Sequence, residues 1–337
     1  MNRLDASTGD SVPAAAASLG VTSSPVQVRS RGRMLVIRGG ALGDFILTMP
    51  VLSALRQAFP ETHIEVLAYP RFGELAVASG LADACRALES RGLAGFFARK
   101  GDLDRFWSEY FAGFNVILSY LYDPDLFFQT NIARVSKAQL LIGPHRPDES
   151  REEHATQKLL RPLEKLAIFD AEPSPLIPGA RFRAMLGSEE APDARRIVIH
   201  PGSGSESKNW PEVRWRELLE RWSRAGEWQV DVVGGEVEGD RLERLARGLA
   251  NVRVLRNAPL VELAARISGA QLFVGHDSGV SHLAAATGVP GLVLWGPTHE
   301  PTWRPRSDRF VSLRHTNGLG GLTTDVVEAR VRELMDS

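Results

Sequence analysis

Three stretches of this chain combine residue types and spacings that could do chemistry. The longest is Asp277-Ser-Gly-Val-Ser-His282-Leu-Ala-Ala-Ala, which runs on through Leu-Trp-Gly-Pro297 to Trp303-Arg-Pro305. It reads as a strand, a tight polar turn and a helix opening onto that turn. A helix start built of small residues leaves backbone N–H groups free and presents a positive dipole end, which suits phosphate or hydroxyl ligands. Asp277, Ser278 and His282 add side-chain donors and acceptors at the same end.

The second stretch is Ile199-His-Pro-Gly-Ser203-Gly204-Ser205-Glu-Ser-Lys208-Asn-Trp-Pro211. A strand ends at His200, and Pro211 is a good first residue for a helix. The Gly/Ser loop between them can turn successive N–H and hydroxyl groups toward an anion, with Lys208 supplying positive charge. The third is Gly39-Gly-Ala-Leu-Gly43-Asp44 with Pro50. Glycines between a strand and a helix let the backbone approach a ligand closely, and Asp44 could face a cleft as a carboxylate base.

Each stretch also has a plain structural reading. Asp44 could cap the helix that follows it, and Asp277 or Ser278 could cap theirs, with His282 packed inside. The Gly/Ser loop could be a connection with a solvated lysine. Neither G-x-G-x-x-G nor G-x-x-x-x-G-K-[ST] is present, and His276, Asp277 and His282 lack metal-ligand spacing. A histidine near a helix N-terminus resists protonation, so His282 is expected to be a neutral hydrogen-bonding group.

The elements that must position these residues form two blocks of alternating strand and helix patterns. In the first, strands are expected at Met34–Ile37, His63–Ala68, Asn115–Tyr120 and Gln139–Ile142, with a long helix over 152–168. In the second, strands are expected over 197–199, 229–233, 252–255, 271–275 and 289–295. Such alternation implies parallel sheets covered on both faces, with ligands at the carboxyl ends of the strands. All three stretches fall at such ends. Three prolines within Pro173–Pro178 cannot continue a helix or a central strand. The expected organisation is a disordered tail over 1–32, an N-terminal domain over 33–172, a linker over 173–180, a C-terminal domain over 181–322 and a final helix over 323–337.

Size and charge narrow the function classes. The 337 residues suffice for two α/β domains, each with its own core. A net charge of −1 gives no global field for nucleic acid or an acidic membrane. The single cysteine, Cys85, rules out an internal disulfide framework. No apolar run is long enough to span a bilayer. The short apolar run Ala14–Ala17 follows acidic residues and lacks an export core.

Taken together, the chain resembles glycosyltransferase family 9, the ADP-heptose:lipopolysaccharide heptosyltransferases. The resemblance is carried by Gly43-Asp44 with Pro50 and Phe59-Pro60, by His200-Pro-Gly-Ser with Lys208-x-Trp-Pro211, and by Asp277-Ser-Gly-x-Ser-His282 with Gly296-Pro-Thr298 and Trp303-Arg-Pro. It implies a GT-B fold, two Rossmann-like parallel-sheet domains facing across a cleft, with the final helix crossing back to the first. It also implies inverting, metal-independent transfer of a sugar from a nucleoside diphosphate, here ADP-heptose, to a lipid-linked saccharide of the lipopolysaccharide core. No cofactor is implied beyond that donor.

In that scheme Asp44 is the general base, and Lys208, Ser203, Gly204 and Ser205 neutralise the departing diphosphate. Asp277, Ser278, Gly279 and His282 hold the donor, and Glu236 bonds its ribose. The resemblance places the enzyme in the cytoplasm, in peripheral contact with the inner membrane. For an anionic acceptor the chain offers Arg71, Arg91, Arg99, Lys100 and Arg105, interleaved with Glu74, Asp83, Glu89, Asp102 and Asp104. Three rivals remain: a relative using another nucleotide sugar or acceptor, a catalytically dead glycan-binding relative, and a non-catalytic or nicotinamide-binding Rossmann protein.

Overall fold

The computed structural model describes residues 32–187 and 193–336. The tail expected over 1–32 lies, but for Gly32, outside the described residues. Short apolar runs form the centre of the first sheet: β1 (Arg33–Ile37), β2 (His63–Ala68), β3 (Ala84–Ala87), β4 (Val116–Ser119) and β5 (Gln139–Ile142). All pair in parallel, in the spatial order β3-β2-β1-β4-β5. The second sheet comprises β6 (Asp193–Ile199), β7 (Gln229–Gly234), β8 (Val252–Arg256), β9 (Ala270–His276), β10 (Gly291–Leu294) and β11 (Phe310–Leu313). It is also parallel, in the order β11-β10-β9-β6-β7-β8.

The chain therefore winds outward one way from β1 and from β6, then returns to the centre and winds the other way. That leaves a topological switch point between β1 and β4 and another between β6 and β9, the places where open α/β sheets bind ligands. The Asp44 turn follows β1. The 200–211 loop follows β6, and the 277–282 turn follows β9.

In the first lobe the helices are α1 (Leu42–Ala58), α2 (Pro70–Ala78), α3 (Arg105–Ala112), α4 (Phe127–Val135) and α5 (Ala155–Leu160). In the second they are α6 (Gly179–Met185), α7 (Glu212–Ala225), α8 (Arg241–Ala246), α9 (Leu260–Ser268), α10 (Gly279–Ala286), α11 (Glu300–Trp303) and α12 (Thr324–Met335). The long helix expected over 152–168 is instead α5 followed by a 3-10 turn, Arg161–Leu166. Pro162 sits at the start of that turn and has no N–H to extend the ladder.

Each lobe keeps an apolar cluster of its own, and a further cluster joins the two. Helix α1 packs on α10, and α2 on α9. One apolar cluster runs from Val36 and Ile64 through Leu47 and Leu75 to Leu263, Leu283 and Phe273. The final helix does not return to the first lobe. Val327 and Val331, one turn apart on α12, are buried in the core of the second sheet with Trp215 and Leu218. On its outer face Asp325 and Glu328 pair with Arg221 of α7. An apolar stripe already buried on its own sheet leaves nothing to carry that helix across.

Candidate active site

The starts of α1 and α10 meet backbone to backbone. A Cβ on Gly279 would lie 2.8 Å from the Gly43 nitrogen and 2.8 Å from Leu42 Cβ, so only glycine fits at this crossing. The contact brings the residues after β1 and those after β9 to one cleft of 510 Å³. Asp44, Gly204, Lys208, Asp277, Ser278, Gly279 and His282 all line it.

On the first lobe's wall Asp44 occupies the third position of α1 rather than its N-cap, which is Ala41. One carboxylate oxygen accepts the Ala41 N–H at 2.9 Å, and the other accepts from the Arg38 guanidinium at 3.2 Å. The side chain is 29% exposed, and a carboxylate has lone pairs beyond those two bonds, so Asp44 still faces the cleft as an acceptor. Arg38 is 2% exposed and also donates to the His145 carbonyl at 3.0 Å. Burial lowers its pKa, and Asp44 and Tyr120 oppose that shift. The sequence reading missed Arg38, because a cation directly after a strand looks like any turn residue.

The second lobe's wall is a closed set of hydrogen bonds. Asp277, 7% exposed, accepts from Lys208 Nζ and from Thr298 Oγ1, both at 2.7 Å on the same oxygen. Lys208 is thus held in place rather than free in solvent. Ser278 is the N-cap of α10, its Oγ accepting from the Ser281 N–H, and it meets His200 Nδ1 at 3.1 Å. His200 Nε2 faces Glu238 at 3.5 Å, and Glu238 also accepts the Gly235 N–H at 2.6 Å. Burial alone would raise Glu238, but His200 and the backbone N–H groups outweigh it and hold the carboxyl at about 2. A Cβ at Gly202 would sit 2.1 Å from the Glu238 carboxylate, so the glycine lets that side chain approach the loop.

Of the other histidines, His282 is 6% exposed on α10, and burial lowers its pKa against the pull of Asp277 and Asp44. His276 accepts the Trp210 N–H at 2.9 Å, and its other nitrogen meets the Gly202 carbonyl at 3.3 Å. Burial pushes it down to about 3. Both stay neutral near pH 7.

Not every anticipated residue reaches the cleft. The Ser203 hydroxyl turns back onto the Ser205 carbonyl at 2.8 Å, and Ser205 Oγ bonds Ser207 at 2.9 Å. Glu236 is exposed in the 3-10 turn Glu236–Glu238, while its neighbour Glu238 packs against the loop after β6. None of Arg71, Arg91, Arg99, Lys100 and Arg105 lines the cleft; Arg146 and Glu149 do. Glu149 accepts Trp303 Nε1 at 2.9 Å, and His154 Nε2 meets the Arg304 carbonyl at 2.8 Å, so two further bonds tie the lobes together. Among the described residues no cluster of three or more His, Cys, Asp or Glu side chains is arranged to hold a metal ion. No described helix is long and apolar enough to cross a membrane.

The arrangement sets a carboxylate on one wall against a lysine and a helix N-terminus on the other, a geometry suited to group transfer from a diphosphate. Comparison with known proteins gives that geometry a family. The model for glycosyltransferase family 9 (heptosyltransferase) matches residues 136–320. Lipopolysaccharide heptosyltransferase 1 of Pseudomonas aeruginosa is 43% identical over 109 residues, 32% of this chain and 30% of that protein. The chain thus spans under a third of the length of that relative. Lipopolysaccharide heptosyltransferase 3 of Escherichia coli is 26% identical over 301 residues, covering 80% of this chain and 85% of the relative.

Among solved structures, E. coli heptosyltransferase WaaC with ADP superposes with a TM-score of 0.69 at 20% identity, over 90% of this chain and 99% of that one. A family 9 glycosyltransferase from Veillonella parvula gives 0.70 at 19% identity, over 91% and 98%. At such identities the superpositions establish the fold, two facing parallel-sheet lobes of GT-B type. The family model matches more than half of the chain, and the chain belongs to glycosyltransferase family 9.

Proposed function

We propose that the protein is an inverting glycosyltransferase that moves heptose from ADP-heptose to a saccharide hydroxyl of the lipopolysaccharide core, without a metal. The observation that carries this reading is that Asp44 and the start of α10 line one cleft, with Lys208 beside them. The acceptor oxygen attacks the anomeric carbon from the Asp44 side and passes its proton to the carboxylate. The bond from that carbon to the diphosphate breaks, and the leaving group keeps the electron pair.

Negative charge grows on the bridging oxygen as it departs. Lys208, already held by Asp277, and the free N–H groups of α10 are fixed donors for that charge and need not reorganise as it forms. Arg38 orients the Asp44 carboxylate through its hydrogen bond. The acceptor would enter over the first lobe's wall, past Arg146, with the protein in peripheral contact with the cytoplasmic face of the inner membrane that carries its lipid.

Asp44→Asn tests the assignment. It keeps the size and an acceptor oxygen but removes the base, so turnover should fall by about 10²–10⁴ while ADP-heptose affinity and melting temperature hold. Turnover within about threefold of wild type would leave Asp44 as a helix-terminal cap and nothing more.

A further inference from the structure

Tyr122 has no part in the chemistry just described, and the fold makes little use of it. It is 67% exposed, and among the described residues its hydroxyl has no hydrogen-bond partner. The segment that carries it is nonetheless held firmly. It leaves the carboxyl end of β4, where ligands of parallel sheets sit. Leu121 donates its N–H to Ser119 Oγ at 3.3 Å, and its side chain would meet a Cβ on Gly39 at 3.6 Å. The Asp123 carboxylate accepts the N–H groups of Phe128 and Gln129 at 3.1 and 3.0 Å, two of the free donors at the start of α4.

The Tyr122 ring packs against His145, with 4.6 Å between centroids and 55° between the planes. The two rings form an open corner, and most of the tyrosine stays uncovered. His145 lines the cleft, so the corner stands at its edge on the first lobe's wall. One guanidinium fixes it relative to the proposed base. Arg38 donates to the His145 carbonyl at 3.0 Å and to Asp44 at 3.2 Å, and it lies 5.7 Å over the ring of Tyr120.

A pyranose ring has an apolar face where its C–H bonds cluster, and those hydrogens are weakly positive. Such a face packs on the negative face of an aromatic ring. A phosphate group gains nothing from that surface. We infer that Tyr122, with His145 at its side, is a stacking shelf for the acceptor sugar and holds that ring beside Asp44. Tyr122 is then a positioning residue for the acceptor, and it favours a saccharide that presents an apolar ring face.

The inference rests on the glycosyl-transfer reading of the cleft, and the test separates the two. Initial rates are measured with ADP-heptose and heptose-free lipopolysaccharide, both intact and O-deacylated, with thermal unfolding as the check on folding. Tyr122→Ala is expected to raise the KM of the O-deacylated acceptor by about tenfold, the worth of a lost aromatic contact and its area. The KM of ADP-heptose and the melting temperature should hold, since the fold bonds nothing to the phenol. Tyr122→Phe keeps the ring and should recover the acceptor KM to within about twofold of wild type. Tyr122→Leu keeps apolar bulk without a ring face and should recover little of it. His145→Ala leaves its carbonyl for Arg38, so the acceptor KM should rise in the same direction while Asp44 stays braced.

An unaltered acceptor KM in Tyr122→Ala overturns the inference, as do equal rises in both KM values or full recovery by Tyr122→Leu. A loss confined to the intact acceptor also overturns it, because the ring would then serve the lipid. In each of these cases glycosyl transfer itself stands. A wild-type protein that transfers heptose to neither acceptor brings down both.

Discussion

The two walls of the cleft are built on different terms. The second lobe presents a wall whose side chains are already bonded to one another: Lys208 and Thr298 to Asp277, His200 to Ser278 and Glu238, His276 to Trp210. The first lobe presents one braced carboxylate, Asp44, and beside it long side chains that remain exposed: Arg146 is 72% and Glu149 39% exposed. A wall that is rigid before the ligand arrives suits a group whose charge must be met at a fixed place, as the proposed diphosphate would be. A wall with exposed, rotatable charges suits a partner that completes it.

If that contrast is right, the largest effects come from breaking the rigid wall. Lys208→Ala should lower kcat by about 10²–10³, the cost of removing one prearranged donor to a developing anion. Asp277→Ala should reproduce much of that loss and also destabilise the fold by about 3 kcal/mol, because it strips a buried partner from Lys208 and Thr298. A loss of activity in Asp277→Ala with donor contacts and stability intact would mean that Asp277 touches substrate directly.

The seam between the walls carries the next effect, and it depends on pH. His154 lies mostly buried on the first lobe and meets the Arg304 carbonyl of the second; burial pushes it from 6.5 down to about 4. The folded state therefore favours the neutral ring, and the unfolded chain takes up the proton first. Stability from this group is intact above pH 6.5 and lost as the pH falls toward 4, by up to about 3 kcal/mol. His154→Gln should flatten that stretch of a stability–pH curve measured by urea unfolding. An unchanged slope would assign it to His276 and His282, which burial shifts in the same direction.

The contrast between walls also explains what the sequence could and could not reveal. Central strands such as β1, β4 and β9 are short apolar runs buried on both faces, and the pattern marks them plainly. Strands β3 and β11 escaped notice because, unlike the equally short edge strand β5 with its Leu-Leu-Ile run, β3 carries Arg86 amid small residues and β11 is broken by Ser312. The 200–211 and 277–282 stretches were legible because loop, cap and ligand group are neighbours in sequence. Their internal wiring was not. Nothing in Ser203-Gly-Ser205 tells that the first hydroxyl folds back on the loop, or that Glu238 rather than Glu236 packs against it. The first lobe's wall was least legible, since Arg146 and Glu149 reach the cleft only through the docking of the loop after β5 on the loop after β10. Composition offered Arg91, Arg99, Lys100 and Arg105 instead, and these are exposed elsewhere.

Smaller effects sharpen the comparison. Gly279→Ala pushes a methyl into the Gly43 nitrogen, and overpacking of this kind costs about 1–3 kcal/mol. Gly204→Ala meets nothing within 4 Å, so its melting temperature should match the wild type although both glycines line the same cleft. Equal losses in the two would put the demand for glycine in the ligand rather than in the meeting of the lobes.

The gentlest change addresses the open wall. Arg146 lines the cleft yet, among the described residues, bonds only Glu149, at 3.3 Å and largely in solvent, so its removal costs the fold little. If the first lobe is completed by the acceptor, Arg146→Ala should leave ADP-heptose affinity unchanged and raise the acceptor KM by about tenfold, one charge-assisted hydrogen bond. Arg99→Ala, outside the cleft, should leave both constants alone. A rise in donor KM for Arg146→Ala would mean that the flexible side chains serve the nucleotide sugar as well, and the division of labour between the walls would fail at its less constrained side.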